Sequence, residues 1–426
     1  MKFKLTKLEK YWILNDIGNS AFILLVATLL PIYFEGMTSG ILSESDNLAY
    51  WGYANSVATA LVALIGPICG AMADQSGYKK RLFLITTVLG VASCAALGLV
   101  SHWLVFLAVF VAAKVGFSSS LVFYDAMLPE VTQESRMDKV SSLGYAWGYI
   151  GSVIPFVLCL ALALGYELFG ISQVTAIVLG LILTAVWWLL CSLPLAKSYR
   201  QTAFSGQRKG NAFAVAFRRL GKTFREARQH KHIFLYLLAF FFFIDGVYTI
   251  IDMATSYGTN LGLDSTGLLL ALLVTQIVAF PATILIGRAT AKHDTGWLLK
   301  VCIISYTGIA VFAVFLQTLW QFWLLAVLVG CFQGGIQALS RSYLAKLVPA
   351  DRSAEYFGLM DICGKGASFV GTTMIAVISQ VTDGMKFSFL GISIANTGLA
   401  VGSLAVLFII GYLLFCKADK LRKSIG

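Results

Sequence analysis

The sequence predicts an all-α polytopic membrane protein, with twelve transmembrane helices in two pseudo-symmetric six-helix bundles. Three observations carry that expectation. Hydrophobic residues make up 58% of the 426 positions and charged residues only 12%, about half the charged share usual in soluble domains. Apolar runs of roughly 20 residues recur along the whole chain, the length that crosses about 30 Å of hydrocarbon. One long basic stretch then divides the runs six and six. The expected units are an N-terminal bundle over 1–196, a cytoplasmic basic linker over 197–231, and a C-terminal bundle over 232–426.

The net charge of +11 reports topology, not a nucleic-acid partner. Lys2, Lys4, Lys7 and Lys10 precede the first run, Lys79, Lys80 and Arg81 follow the second, and Arg136 and Lys139 follow the fourth. Arg288, Lys292 and Lys300 follow the eighth, Lys346 and Arg352 the tenth, and Lys417, Lys420, Arg422 and Lys423 the last. The alternate loops carry Glu35, Glu44, Asp46, Glu167, Asp264 and Asp383, with Lys386 their only cation. This positive-inside bias places both termini in the cytoplasm. The basic start leads into a full span with no small-residue cleavage site, so no signal peptide is expected.

Taken in order, the spans are expected to begin near Tyr11, Tyr50, Leu82, Trp103, Ser141 and Ile171, and then near Ile233, Thr266, Trp297, Gln321, Ser353 and Phe389. Between spans two and three, Gly70-Ala-Met-Ala-Asp74-Gln-Ser-Gly77-Tyr-Lys79 forms a short polar turn whose glycines let the chain reverse tightly. Span four ends Tyr124-Asp-Ala-Met-Leu-Pro129 and span ten ends Tyr343-Leu-Ala-Lys-Leu-Val-Pro349, an internal similarity that supports a repeat. Each is followed by a charged turn and a glycine-rich helix, Gly144 to Gly151 and Gly364 to Gly371. Those glycines read first as small faces for helix contact, and second as ligand contacts. In the linker, Phe213, Phe217, Leu220 and Phe224 form a helical stripe among cations, expected to lie on the inner membrane face against anionic lipid.

The eight cysteines fall in or beside apolar runs and no CxxC occurs, so no disulfide framework is indicated. The four histidines lie at span ends or in loops, which argues against a metal site in the membrane. No cofactor is expected.

Ionisable groups inside spans are costly and mark function by default. They are Asp16 in span one, Lys114 in span four, Asp245 and Asp252 in span seven, Arg341 in span ten, and Asp361 with Lys365 in span eleven. Asp361 and Lys365, four apart with the acid first, suit a helix-face pair, either structural or substrate-handling. Lys114 has no acid within a turn of its own helix, and Asp245 is the mid-depth carboxylate expected to pair with it. Asp245 is also the expected site of proton exchange. Asp16 and Asn19, in a polar cluster of span one, and Arg341 are expected to fasten a gate. Tyr145, Trp147, Tyr149 and Tyr248 are the aromatic residues to test as cavity lining.

The turn with Gly70, Asp74, Gly77 and Lys79 resembles the signature loop of the major facilitator superfamily. That resemblance implies the two-bundle fold, spans one, four, seven and ten around a central cavity, and a gating role for the loop. Further stretches resemble the vacuole-effluxer branch, whose fungal members are tied to autophagy and vacuolar amino-acid export. These are Asn19 to Phe22 with Pro31 to Phe34, Phe123 to Glu130, Val140 to Gly151, Asp245-Gly246 with Thr249-Ile250, Gln333 to Ser342, and Pro349 with Glu355 to Gly358. This chain departs from the pattern at Asn15-Asp16-Ile17, where relatives usually show Tyr-Asp-Trp. Lys114 matches by position only an arginine of many proton-coupled members. The resemblance implies a carrier in a bacterial inner membrane for amino acids or related zwitterions, with the ligand carboxylate met by Lys114 or Lys365 and its amine by Asp245.

The expected function is therefore secondary active transport by alternating access, coupled to protons or not, by a monomer surrounded by lipid. Export of an amphiphilic, drug-like or lipid-like substrate is the alternative, and a non-transporting receptor or scaffold the second. No GxxxxGK[ST] loop supports direct ATP drive, and no HExxH or GxSxG supports an intramembrane enzyme.

Overall fold

In the computed structural model the described residues are 3–205, 230–260, 262–382, 387–389, 392–394 and 396–425, without the side chains of 365–369 and of some other positions. Twelve long helices follow one another: α1 (Lys7–Thr38), α2 (Glu44–Ala73), α3 (Tyr78–Ala96), α4 (Trp103–Ala126), α5 (Met137–Leu164), α6 (Gln173–Ser198), α7 (Lys231–Asn260), α8 (Ser265–Ala289), α9 (Thr295–Val314), α10 (Leu319–Leu347), α11 (Ser353–Val381) and α12 (Leu404–Ile425). Among the described residues, ten helices are long and apolar enough to cross a membrane. The bent α1, Lys7–Val26 with Leu29–Thr38, makes an eleventh if its halves form one span, and α11 contributes the shorter apolar segment Val370–Val381. The amphipathic helix expected around Phe213 to Phe224 lies outside the described residues.

Helix ends follow side-chain chemistry. Thr6 and Glu9 cap α1 reciprocally, with each backbone N–H bonded to the other's side chain at 2.7 and 3.2 Å. Ser43, Ser172 and Asp264 accept from the first turns of α2, α6 and α8, caps worth about 1 kcal/mol each.

The twelfth helix does not begin near Phe389 as the apolar run suggested. Phe387–Phe389 (β1) and Ile392–Ile394 (β2) pair antiparallel, Ser388 opposite Ser393. The reason is period: apolar and serine residues alternate within Phe387–Phe389 and within Ile392–Ile394, which suits strands. A short helix, Asn396–Gly402, then leads into α12.

The chain divides into two compact units. The first comprises Met1–Glu134, Trp147–Arg218 and Pro349–Gly358; the second comprises Ser135–Ala146, Arg219–Val348 and Leu359–Gly426. In the first, Trp12 and Tyr124 stack at 4.5 Å and exchange hydrogen bonds, each donating to the other's carbonyl at 3.0 Å. Phe22, Phe117 and Trp188 form the middle of its apolar core. A Cβ on Gly116 would lie 2.5 Å from the Gly90 nitrogen, so α3 and α4 meet backbone to backbone. In the second unit, Gly246 receives the Phe408 ring and Gly411 packs on Phe243, which sets α7 against α12.

Candidate functional site

The signature turn is built in the first unit. Asp74 ends α2, and Gly77 stands at φ +77°, a left-handed conformation that favours glycine, before α3 begins. This reversal buries Lys79 completely. Its ammonium donates to Glu130 Oε1 at 2.7 Å and to Ser353 Oγ at 2.9 Å, and lies 3.6 Å from Asp74 Oδ1. Asp74 in turn accepts from the Ala354 and Glu355 N–H groups, at 3.0 and 2.8 Å. These are free donors of the first turn of α11, where helix polarity favours an anion. Gly70 is required there, because a Cβ would stand 2.4 Å from the Ala354 carbonyl oxygen.

The chain after α6 is strapped over this cluster. Glu130 Oε2 accepts from the N–H groups of Thr202 (2.6 Å) and Ala203 (3.0 Å), and Tyr199 donates its hydroxyl to Oε1 at 2.8 Å. Gln201 bonds the Ala73 carbonyl and receives the Gly77 and Lys79 N–H groups. Burial pushes the Asp74 carboxyl up to about 7 against the pull of Lys79 and the two helix N–H groups. Burial also acts upward on Glu130, but the closer Lys79 and the strap N–H groups leave it below the usual carboxylate range. Glu130 is therefore the closer counter-ion of Lys79, and Asp74 the carboxyl held above its ordinary range.

The second unit carries a cluster of its own at the start of α5. Asp138 accepts from Lys346 at 2.6 Å and from Thr295 and Ser342, each at 2.7 Å. Arg341 donates to the Ser141 hydroxyl and carbonyl, both at 2.9 Å, and its guanidinium lies 4.3 Å from the Tyr145 ring centre. Tyr145 is thus a partner of Arg341.

The groups inside the spans are distributed as follows. Asp16 and Asn19 are buried in the first unit, where a Cβ on Gly148 would meet Ser20 Oγ at 2.8 Å, and one on Gly151 would meet Ile17 at 2.5 Å. These two glycines make the small-face contact between α1 and α5. Lys114 donates to Asn55 Oδ1 at 2.5 Å. Trp147 is 43% exposed and Tyr149 buried. In the second unit Asp245 is wholly buried; one carboxylate oxygen accepts from the Gly371 N–H (3.0 Å) and the Thr249 hydroxyl (3.2 Å). Its other oxygen has no hydrogen-bond partner among the described residues. Tyr248 lies 3.6 Å from the position a Cβ on Gly364 would take. Asp361 is half-buried, and the side chain of Lys365 lies outside the described residues. The expected partners Lys114 and Asp245 belong to different units, and each has a neutral hydrogen-bond partner within its own.

Sequence reasoning missed Glu130, the strap from Tyr199 to Ala203, Ser353 and Asp138. Only Glu130 left a signal, as the acid after Pro129 in the stretch from Phe123 noted above for its resemblance to the vacuole-effluxer branch.

Residues 7–413 match the family described as vacuole effluxer Atg22 like. The chain belongs to that family. The Atg22-like chain is 41% identical over 418 residues to an MFS-type transporter of Bacillus subtilis, YxiO, covering 96% of this chain and 94% of that protein. It is 24% identical over 389 residues to autophagy-related protein 22 of Kluyveromyces lactis, covering 86% and 74%. Among solved structures it resembles a bacterial homologue of the iron transporter ferroportin in an outward-facing state (TM-score 0.72, 12% identity, 97% and 98% coverage). It also resembles the proton:xylose symporter XylE (TM-score 0.69, 13% identity, 96% and 94%). The Atg22-like chain thus has the major facilitator fold and is a multi-pass integral membrane protein of a transporter family, as the signature loop implied. Its relatives and structural neighbours are transporters, not enzymes.

Proposed function

We propose that this chain is a secondary active transporter that moves an amino acid or related zwitterion by alternating access, with Asp245 as its proton-carrying group. The observation that supports this reading is the setting of Asp245: a fully buried carboxyl group with one oxygen bound by Gly371 and Thr249 and the other unbonded among the described residues. A charge in a membrane interior is costly unless paired or hydrated, so taking up and releasing a proton here would follow the wetting of the site. Lys114, and Lys365 in span eleven, supply cations that suit the carboxylate of a zwitterion. The buried cluster of Lys79, Glu130 and Asp74 serves as the latch that holds the start of α11 to the signature turn. We place both termini in the cytoplasm on the distribution of Lys and Arg, and take the chain to act as a monomer in a bacterial inner membrane.

Flux into sealed proteoliposomes tests this, with a panel of amino acids, peptides, cations and lipids, with and without a pH gradient. Accumulation of a zwitterion that depends on the gradient supports the reading. Movement of amphiphiles alone favours the exporter alternative, and no flux of any candidate favours a receptor.

A further inference from the structure

The second unit contains a cavity that no charged group lines among the described residues. Its walls include Ile250 and Ala254 of α7, Leu272 of α8, Phe322 and Val329 of α10, and Ile375 of α11. About 50 Å³ is open to the centre of a water-sized sphere, several times the roughly 10–15 Å³ that one water needs. It has room for a handful of non-hydrogen atoms.

The chemistry of the wall narrows what belongs there. The Tyr257 hydroxyl already donates to the Ala313 carbonyl at 2.6 Å, and Thr275 donates to the carbonyls of Ala271 and Ala326. Thr249 is committed to Asp245. Water would find few donors and an apolar surround, conditions that leave such a space dry and favour an apolar guest. Gln333 is the exception. It lines the same cavity, is 7% exposed, and its amide makes no hydrogen bond among the described residues. An amide that meets only apolar groups forgoes a hydrogen bond, so the guest that matches this wall carries one polar group.

We propose that this cavity is a binding site for a small molecule with a branched aliphatic or single-ring tail, whose polar group the Gln333 amide engages. The proposal deepens the transport reading and rests on it for the claim that the guest is carried. Asp245 lies one helical turn before Thr249 on α7, and Gly371 one turn before Ile375 on α11. The cavity therefore adjoins the carboxyl group already assigned to the proton, and tail size becomes the property by which substrates are selected.

Two measurements test it on the full-length chain. In the first, the thermal stability of purified protein in detergent is read with acetamide, butanamide, 4-methylpentanamide and benzamide. Apparent affinity is expected to rise about fourfold per added methylene until the space is full. Ala326→Leu, which fills the cavity, is expected to remove that dependence. Should Ala326→Leu fail to fold, Gln333→Leu serves: it keeps the dependence on tail length and loses the preference for an amide over the matched alcohol. A profile flat with tail length, one unchanged in Ala326→Leu, or an amide preference unchanged in Gln333→Leu overturns the proposal and leaves the cavity a packing defect. In the second, zwitterions of increasing side-chain size are carried into proteoliposomes. Tail-dependent binding without any flux retains the site and overturns its role in transport; flux without tail-dependent binding does the reverse.

Discussion

Lys79 reaches Glu130 at 2.7 Å with both side chains almost wholly excluded from solvent. A buried ion pair is poor evidence of net stabilisation, but breaking one leaves an uncompensated charge and costs about 3–5 kcal/mol. Glu130→Ala also releases the Thr202 and Ala203 N–H groups. We expect Glu130→Ala to lower stability by about that amount, and the double variant Lys79→Met with Glu130→Gln to recover much of it. Equilibrium unfolding in mixed micelles reads both. A loss in the double variant equal to the sum of the losses in Lys79→Met and Glu130→Gln alone would show that the pair is not coupled.

Asp74 gives the latch a pH dependence. Its folded-state value near 7 stands above the unfolded value of about 3.9, so the folded chain holds the extra proton between those limits. Stability contributed by Asp74 is then greatest at low pH, falls as pH rises from about 4 to 7, and levels off above. Glu130, shifted the other way, loses its contribution only below the ordinary carboxylate range. Melting temperature against pH should show the first slope in wild type and lack it in Asp74→Asn. A slope retained in that variant would assign it to another group.

Two glycines of α2 should respond oppositely to the same change. A Cβ on Gly70 would stand 2.4 Å from a backbone oxygen, whereas Gly52 has nothing within 4 Å. Gly70→Ala is expected to cost about 1–3 kcal/mol through forced displacement of the α11 start. Gly52→Ala should be neutral or gain about 0.5–1 kcal/mol from helix propensity. Melting curves of the two variants, side by side, decide it.

Asp245→Asn keeps an acceptor for the Gly371 N–H but cannot release a proton. We expect it to abolish accumulation driven by a pH gradient while leaving exchange of labelled for unlabelled substrate within about threefold of wild type. Gradient-driven uptake by the variant would remove Asp245 from the coupling step.

The sequence alone determined the all-helical membrane fold, the order of the long helices, the family and the position of the signature turn. Those properties rest on run length, charge alternation and local spacing, which are written in adjacent residues. The apolar run at Phe387 to Ile394 misled because its period, not its hydropathy, decided its form. Tertiary structure decided which acid holds Lys79, since Glu130 is 51 residues away in the chain and nothing local marks it as a partner. It also decided that the start of α11 belongs with α2, α3 and the strap after α6, and that Gln333 lines a largely apolar cavity. Burial, counter-charge and hydrogen-bond satisfaction are sums over neighbours from distant segments, and only the folded chain brings those neighbours together.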